Sequence, residues 1–488
     1  MIEAVRTTFG RWLLVVPAAL AVLVLVLVRF SDSSDPAATL VVALVSGDTS
    51  DVRPSGEGDG NTLARLKSGA PPRIITAGFT AAVTPRVSYD GRRAIFAGRR
   101  AASDPMQIWE VSVMGSSPRL MAGGGECLDP AYLPDGGIVY ARSLPGAGLD
   151  APQALYTTQA DGRGERRITF GEAHDRAPAV LPDGRVVFRR HPRVGDGPGR
   201  LFVINPDGTG LQLFYEPADG VSIDGGPWVI DDRVIFAETV PRGATLEHPG
   251  SRLVSVSARQ PLGQRDILSG GGKLEDLGEE RFASVSKLPE GGLVASAYVK
   301  RQGWSLRQLT PHGESAAQAL AQALPPASTL SGLADGLRLA SVALAMPQAR
   351  PLGLTSVVDE RKSTGTLLCL NVRNSRNTAV AEAKPATIRT VRVLAVDGQL
   401  LGEDSVEADG SFFVEVPADQ PLRLELRGPE GVVAADHSGL WVRPNENRGC
   451  IGCHEDPEVA PENRVVQAVE KGQAPARATA QLARSEKH

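Results

Sequence analysis

The chain has 488 residues, with 52 Lys and Arg against 56 Asp and Glu, so its formal net charge is −4. That length corresponds to roughly two to four domains, and the lack of a basic excess excludes a general nucleic-acid binder. With 42% hydrophobic and 22% charged residues, usage is that of a globular protein, which excludes wholesale disorder; four Cys are too few for a disulfide scaffold. Gly and Pro are abundant, 53 and 36, while aromatics are 5%. Many turns and few long helices produce such a balance.

The first element is apolar. Leu13 to Val28 is an uncharged run of 16 residues, and Trp12 extends it to 17, the lower edge for spanning a bilayer. Arg6 and Arg11 precede it, which keeps that end in the cytoplasm. No A-x-A cleavage site follows the run directly, so residues 1–30 are expected to form an uncleaved signal anchor, one transmembrane helix, rather than a cleaved signal peptide. Either reading puts the bulk of the chain outside the cytoplasm. The expected location is a bacterial inner membrane, crossed once, with the bulk in the periplasm. Residues 31–69 read as a linker, because Gly47 to Gly60 is rich in Gly, Ser and Asp.

A repeat fills residues 70–360. VSYDGRRAIFAGRR, YLPDGGIVYARS, VLPDGRVVFRRH, VIDDRVIFAET and KLPEGGLVASAYV recur with acidic turn residues at Asp90, Asp135, Asp183, Asp232 and Glu290. The spacings are 45, 48, 49 and 58 residues. A period near 40–50 with several short strands per unit is a β-propeller signature. Each piece is a hairpin turn feeding a strand, since Asp-Gly tolerates the left-handed conformations such turns need. A sixth blade is expected from Leu333 to Val358 together with the strand near Arg73 to Thr80. The pieces resemble TolB-like propeller repeats, though Tyr89, Leu133 and Leu181 depart from that family's S-P-D-G wording. The resemblance implies a propeller of about six blades and no particular activity. The repetition of the acidic residues marks them as structural.

Residues 361–465 are expected to form a β-sandwich-like domain. LLCLNV, TVRVL, FFVEV and LRLEL have strand composition, and Asp397-Gly398 and Asp409-Gly410 supply turns. This mainly β domain leads into Cys450-Ile451-Gly452-Cys453-His454, a C-x-x-C-H string. That string is the attachment signature of a c-type haem: two thiols three positions apart add to the porphyrin vinyl groups, and the adjacent imidazole reaches the iron. Chance alone gives an expectation on the order of 10⁻³ to 10⁻⁴ for this composition. Two rivals use the same residues. One is a Cys450–Cys453 disulfide or dithiol, which ordinarily sits in a strand–helix context. The other is a zinc site with His454 and a further ligand such as Glu455 or Asp456. Residues 466–488 read as a flexible tail.

The strings SFFVEVPADQPLRLEL, LWVRPNENRGCIGCHEDPE and PENR resemble the middle domain of hydrazine synthase alpha-subunit-like proteins. The resemblance implies a TolB-like propeller joined to a β-domain that ends in a haem loop. It implies Cys450 and Cys453 as thioether attachment points for one covalent haem c and His454 as the motif histidine. It does not carry the hydrazine-forming reaction, because this sequence has a single C-x-x-C-H.

A low-spin carrier needs a sixth iron ligand. His437, placed outside the clear strands, is the leading candidate; His174 and His191 in propeller loops are further ones, and Met121 and Met346 read as core fillers. Arg443 and Arg448 are candidate partners of haem propionates, and Trp441 a candidate to pack on the porphyrin or in the sandwich core. Cys369 reads as a buried thiol. The expected function is electron transfer with a redox partner protein docked on the propeller. The alternatives are a haem-dependent oxidoreductase or small-ligand binder with an open iron, and a non-enzymatic envelope scaffold.

Overall fold

A computed structural model describes residues 39–46, 61–67, 70–143, 151–192, 197–240, 250–269, 280–287, 292–299, 303–309, 337–375, 378–382, 387–452, 465–470 and 476–477. The expected anchor at Leu13 to Val28 and the spacer at Gly47 to Gly60 lie outside these residues. Among the described residues no helix is long and apolar enough to cross a membrane. The fold is mainly β, and the chain divides into two units.

The first unit is a six-bladed propeller. Strands β1 (Thr39–Ser46), β2 (Thr62–Lys67) and β3 (Ala70–Ile74) come first in the chain but belong to the last blade. The next blade is β4 (Ala81–Val87), β5 (Arg93–Arg99), β6 (Gln107–Ser112) and β7 (Arg119–Ala122). Then come β8 (Cys127–Tyr132), β9 (Ile138–Ser143), β10 (Gln153–Thr158) and β11 (Arg166–Arg167). The third consecutive blade is β12 (His174–Val180), β13 (Val186–His191), β14 (Arg200–Ile204) and β15 (Gln212–Tyr215). The fourth is β16 (Ser222–Ile230), β17 (Arg233–Thr239), β18 (Ser251–Ser257) and β19 (Asp266–Ile267). The fifth has, among the described residues, β20 (Glu280–Lys287), β21 (Leu293–Val299) and β22 (Gly303–Leu309). Finally β23 (Leu337–Ala345) pairs antiparallel with β1, completing a sheet in the order β23-β1-β2-β3. The inner strands β4, β8, β12, β16, β20 and β23 each contact the next, and β23 contacts β4, so the ring closes. Their inward ends and the chain from Met346 to Pro351 line a cavity of about 710 Å³, with Arg86, Tyr89, Trp228, Asp231, Lys287 and Arg350 on its wall.

This arrangement corrects the expected linker. Residues 39–46 and 62–67 are propeller strands, and Val41, Val42, Leu44 and Leu63 are fully buried. TLVVALVS is a continuous apolar run with no alternation to mark it as a strand, and the polar spacer separates it from TLARLK. The strand pieces of the repeat stand as expected. At three of its turns the Asp side chain accepts a hydrogen bond from the backbone N–H two residues on: Asp90 from Arg92 (3.0 Å), Asp135 from Gly137 (2.9 Å) and Asp183 from Arg185 (3.0 Å). These carboxylates are turn formers.

A second repeat accompanies the first. Thr84, Asp129, Ala177 and Gly226 all have positive φ, 50°, 52°, 52° and 77°, and each precedes a proline. Each sits in a register shift of its inner strand. The inner strand of a blade is an edge, so a bulge and a residue without N–H are tolerated there.

The second unit comprises Leu354–His488 with two short segments, Arg167–Ala173 and Ile204–Gln212. Its first sheet holds β24 (Thr364–Cys369), and after helix α1 (Thr378–Ala381) the second sheet begins with β25 (Thr390–Ala395) and β26 (Leu400–Ser405). Then follow β27 (Phe412–Pro417), β28 (Leu422–Gly428), β29 (Gly431–Leu440), β30 (Asn447–Cys450), helix α2 (Gln467–Glu470) and β31 (Ala476–Arg477). The two sheets have the orders β30-β24-β27-β31 and β26-β25-β28-β29. Leu367, Val391, Val393, Val414, Val416, Leu422 and Leu426 form the core between them. The alternation in FFVEV and LRLEL creates that inward face, as period-two patterning requires.

Part of the expected tail is folded. Val466 is buried, and the backbone N–H groups of Gln467 and Ala468 donate to Asp409 (2.9 Å) and Ser411 (3.1 Å). Residues Ala476 and Arg477 pair with β27. The composition there is small and polar, and nothing in it announces the side-chain caps supplied from the Asp409 turn.

Candidate haem-attachment segment

The site is built on one short edge strand. β30 runs parallel to β24, with Thr366, Leu367, Leu368 and Cys369 opposite Asn447, Arg448, Gly449 and Cys450. Edge strands of four residues need support beyond their own ladder, and here the support comes from the turn that feeds them.

In that turn Glu446 is 4% exposed. Its Oε2 accepts from the backbone N–H of Arg443 (2.7 Å), and its Oε1 from Gly210 (2.8 Å). Burial pushes the Glu446 carboxyl up from the usual range, against the pull of those N–H groups. Asn445 takes φ 69°, donates to Val357 O (2.9 Å) and accepts from Lys362 Nζ (2.6 Å). The Thr366 hydroxyl donates to Asn447 Oδ1 (2.7 Å), which pins the first residue of β30.

Arg443 is almost fully buried. Its Nε donates to Asp207 O (2.9 Å), one terminal nitrogen meets the Asp419 carboxylate, and the other meets Glu360 (3.3 Å). Desolvation raises the Asp419 carboxyl, opposed by Arg443. Arg448 donates to Trp441 O (2.9 Å) and Leu211 O (3.0 Å). Trp441 is fully buried; its Nε1 donates to Gly208 O (3.2 Å) and its ring meets Phe170 edge-on at 5.9 Å. The Arg443 guanidinium lies 5.6 Å from the Phe170 ring centre, within cation–π range.

The structure therefore brings Trp441, Arg443, Arg448 and Cys450 into one segment but gives the first three protein partners. The guanidinium groups expected for haem propionates are engaged by carbonyls and carboxylates of the same unit. Trp441 packs on Phe170 and is not a member of the sandwich core. Glu446, Asn445, Asp419 and Phe170 were missed from sequence. The Pro-x-Glu-x-Arg spelling was visible, but only the fold shows that its Glu caps its own turn.

Cys450 is partly exposed at the end of β30. The chain beyond it is held: Leu370 N–H donates to Cys450 O (2.9 Å) and Asn371 N–H to Ile451 O (3.2 Å). A Cβ on Gly452 would lie 1.8 Å from Asn374 O, so only glycine fits that approach. On the other side, a Cβ on Gly449 would meet nothing within 4 Å. Cys453 and His454 lie outside the described residues, as does the side chain of His437. The backbone of His437 is in β29, which corrects its placement outside the strands. The bulged pairing of β29 with β28 shifts register twice, which masks the alternation. Among the described residues no group of three or more metal-ligating side chains occurs.

His174 and His191 are directly paired on β12 and β13, in strands rather than loops. Burial and the nearby Arg189 push the His191 imidazole down to about 3. Met121 is in a propeller core, and Met346 lines the central cavity. Cys127 is buried, its thiol pushed up to about 12 by desolvation.

Residues 369–455 match the family described as the hydrazine synthase alpha subunit middle domain. Among solved structures, hydrazine synthase of Kuenenia stuttgartiensis has a TM-score of 0.72 at 16% identity, over 90% of this chain and 72% of that one. Over residues 369–455 the chain is similar to the hydrazine synthase alpha middle domain. At that identity the structural likeness is one of fold. A putative TolB from Agrobacterium tumefaciens follows with a TM-score of 0.35 and 18% identity, over 48% of this chain and 89% of that one. A chain of a nidogen–laminin complex has 0.42 and 13%, over 64% and 100%. No curated protein matches. The matched middle-domain residues run from Cys369, the last residue of β24, through the whole C-x-x-C-H string, so the matched part includes the turn and β30.

Proposed function

We propose that the chain is an exported, membrane-anchored c-type haem protein that transfers electrons, with the propeller as docking platform for a redox partner protein. The C-x-x-C-H string at the end of β30, inside the hydrazine synthase alpha-like middle domain, carries this reading. The donor set fits one covalent haem c: Cys450 and Cys453 would form the thioethers and His454 would ligate the iron. The partly exposed Cys450 and the open side of Gly449 are compatible with a large group there. A bound haem supplies a one-electron couple.

The chain's own residues fix the first attachment point. Glu446 and Asn445 set the turn, Arg443 and Arg448 tie it to neighbouring carbonyls, and Gly452 seats the next residues on Asn374. Attachment then starts from a thiol of defined position, which lowers the ordering cost of the reaction. The Phe170 ring lies against both the Arg443 guanidinium and the Trp441 ring.

The test is expression with haem-maturation machinery, followed by haem staining after denaturing electrophoresis and visible spectra in both redox states. The expected result is a stained band at full length. It is lost in the variant with both Cys450→Ser and Cys453→Ser, and its spectrum changes in His454→Ala. An unstained wild-type band beside a stained control cytochrome refutes the reading.

A further inference from the structure

We propose that Cys369 is a disulfide partner of Cys450, making a thiol–disulfide exchange site that takes a small-molecule disulfide. The inference concerns the haem-free chain and does not rest on the haem reading.

Three observations carry it. Cys369 and Cys450 are register partners on adjacent parallel strands, β24 and β30. Neighbouring strands lie about 4.8 Å apart, inside the roughly 4.4–6.8 Å Cα separation that a disulfide spans. The two residues also share a face. The pair three positions earlier, Thr366 and Asn447, on the opposite face, is joined side chain to side chain, which holds the two strands in this register. Finally, their environments differ. Cys369 is 2% exposed in the sandwich core, whereas Cys450 is partly exposed at the strand end. One thiol is open to an incoming disulfide and the other is shielded, an arrangement suited to attack followed by resolution.

The exchange balances with oxidised glutathione as the probe. The Cys450 thiolate attacks one glutathione sulfur, forms a mixed disulfide and releases the first glutathione thiol. Cys369 gives up its proton and attacks Cys450 Sγ; the second glutathione leaves and takes that proton. Two thiols of the chain are oxidised, and one glutathione disulfide is reduced to two thiols. The product ties β24 to the edge strand β30 and withdraws Cys450 from other chemistry until a dithiol reduces it.

The experiment uses the full-length haem-free chain, oxidised with glutathione, denatured in the presence of an alkylating agent and digested with trypsin. Cleavage gives Ser363–Arg373, which holds Cys369, and Gly449–Arg464, which holds Cys450 and Cys453. The expected result is a reducible cross-link between these two peptides that persists in Cys453→Ser and disappears in Cys450→Ser. Cys369→Ala, a smaller apolar residue at a buried position, is expected to keep the native circular dichroism and lose the cross-link. Full alkylation of Cys369 after oxidation, or a link confined to Cys450 and Cys453, overturns the proposal. Haem staining of the same chain after maturation is read separately, so failure of one reading leaves the other standing.

Discussion

His191 shows what one buried side chain does to the acid stability of the propeller. Its ring packs against Gly199, where an added Cβ would meet the imidazole at 2.4 Å. Burial is the main cause of its low proton affinity, followed by Arg189, with His174 and Arg176 adding smaller repulsions and Ile223 opposing them. The unfolded imidazole binds a proton below about 6.5, while the folded one stays neutral down to about 3. The unfolded state therefore holds the extra proton in that window, and stability falls as pH falls from 6.5 toward 3. Each pH unit costs up to about 1.4 kcal/mol. Thermal melts across that window are expected to show a shallower slope in His191→Gln than in the parent; equal slopes would assign the acid sensitivity elsewhere. Residue identity did not reveal this. A lone His in VVFRRH reads equally as a loop or ligand residue, and only the pairing with His174 and the approach of Gly199 show it as a packed strand residue.

Among the elements, β30 is the one whose existence depends most on its turn. Four residues of edge strand make few ladder bonds, so the Glu446 carboxylate, with both oxygens receiving backbone N–H groups, holds the entry angle. Glu446→Gln leaves one N–H facing an amide that also donates. A buried donor without an acceptor costs about 1–3 kcal/mol, so the unfolding free energy of the second unit is expected to fall by about that amount. Denaturant titration followed by Trp fluorescence measures it, because Trp441 is fully buried in this unit. No change in midpoint would mean the turn is held without the carboxylate. Sequence patterning gave β25, β27 and β28 in nearly their observed places, since each alternates cleanly. It missed β26, β29 and β30. LLGEDS and NRGC have too little apolar contrast, and β29 shifts register against β28. The propeller repeat was read from its Asp-Gly turns, but its companion went unnoticed. Pro85, Pro130, Pro178 and Pro227 each lie five residues before an acidic turn residue, a spacing fixed by the bulge in the inner strand.

At the scale of the whole molecule, the closing blade depends on β1. β1 lies between β23 and β2, so removing it breaks two ladders at once and uncovers Val41, Val42 and Leu44. Burial of each such side chain contributes about 1.5–3 kcal/mol. A soluble chain of residues 31–488 is expected to fold and melt cooperatively, whereas residues 61–488 are expected to aggregate or melt far lower. Equal melting temperatures would restore the linker reading. The sequence concealed this because the two halves of the blade lie at opposite ends of the repeat. A period search finds consecutive hairpins and has no means of seeing a partner about 300 residues away.

That distance sets a timetable for synthesis. Thr39 must find Ala345, and Leu40 must find Leu344. Ribosomes add roughly 5–20 residues per second, so β1 waits on the order of 15–60 s for its partner to be made. During that interval TLVVALVS is a short, uncharged, β-prone stretch with exposed backbone donors and acceptors, the kind of segment that recruits another nascent chain. A holdase that shields the first fifty residues until the ring can close would therefore matter more for the yield of this protein than any help given to the sandwich, whose strands are all made within about 115 residues of one another.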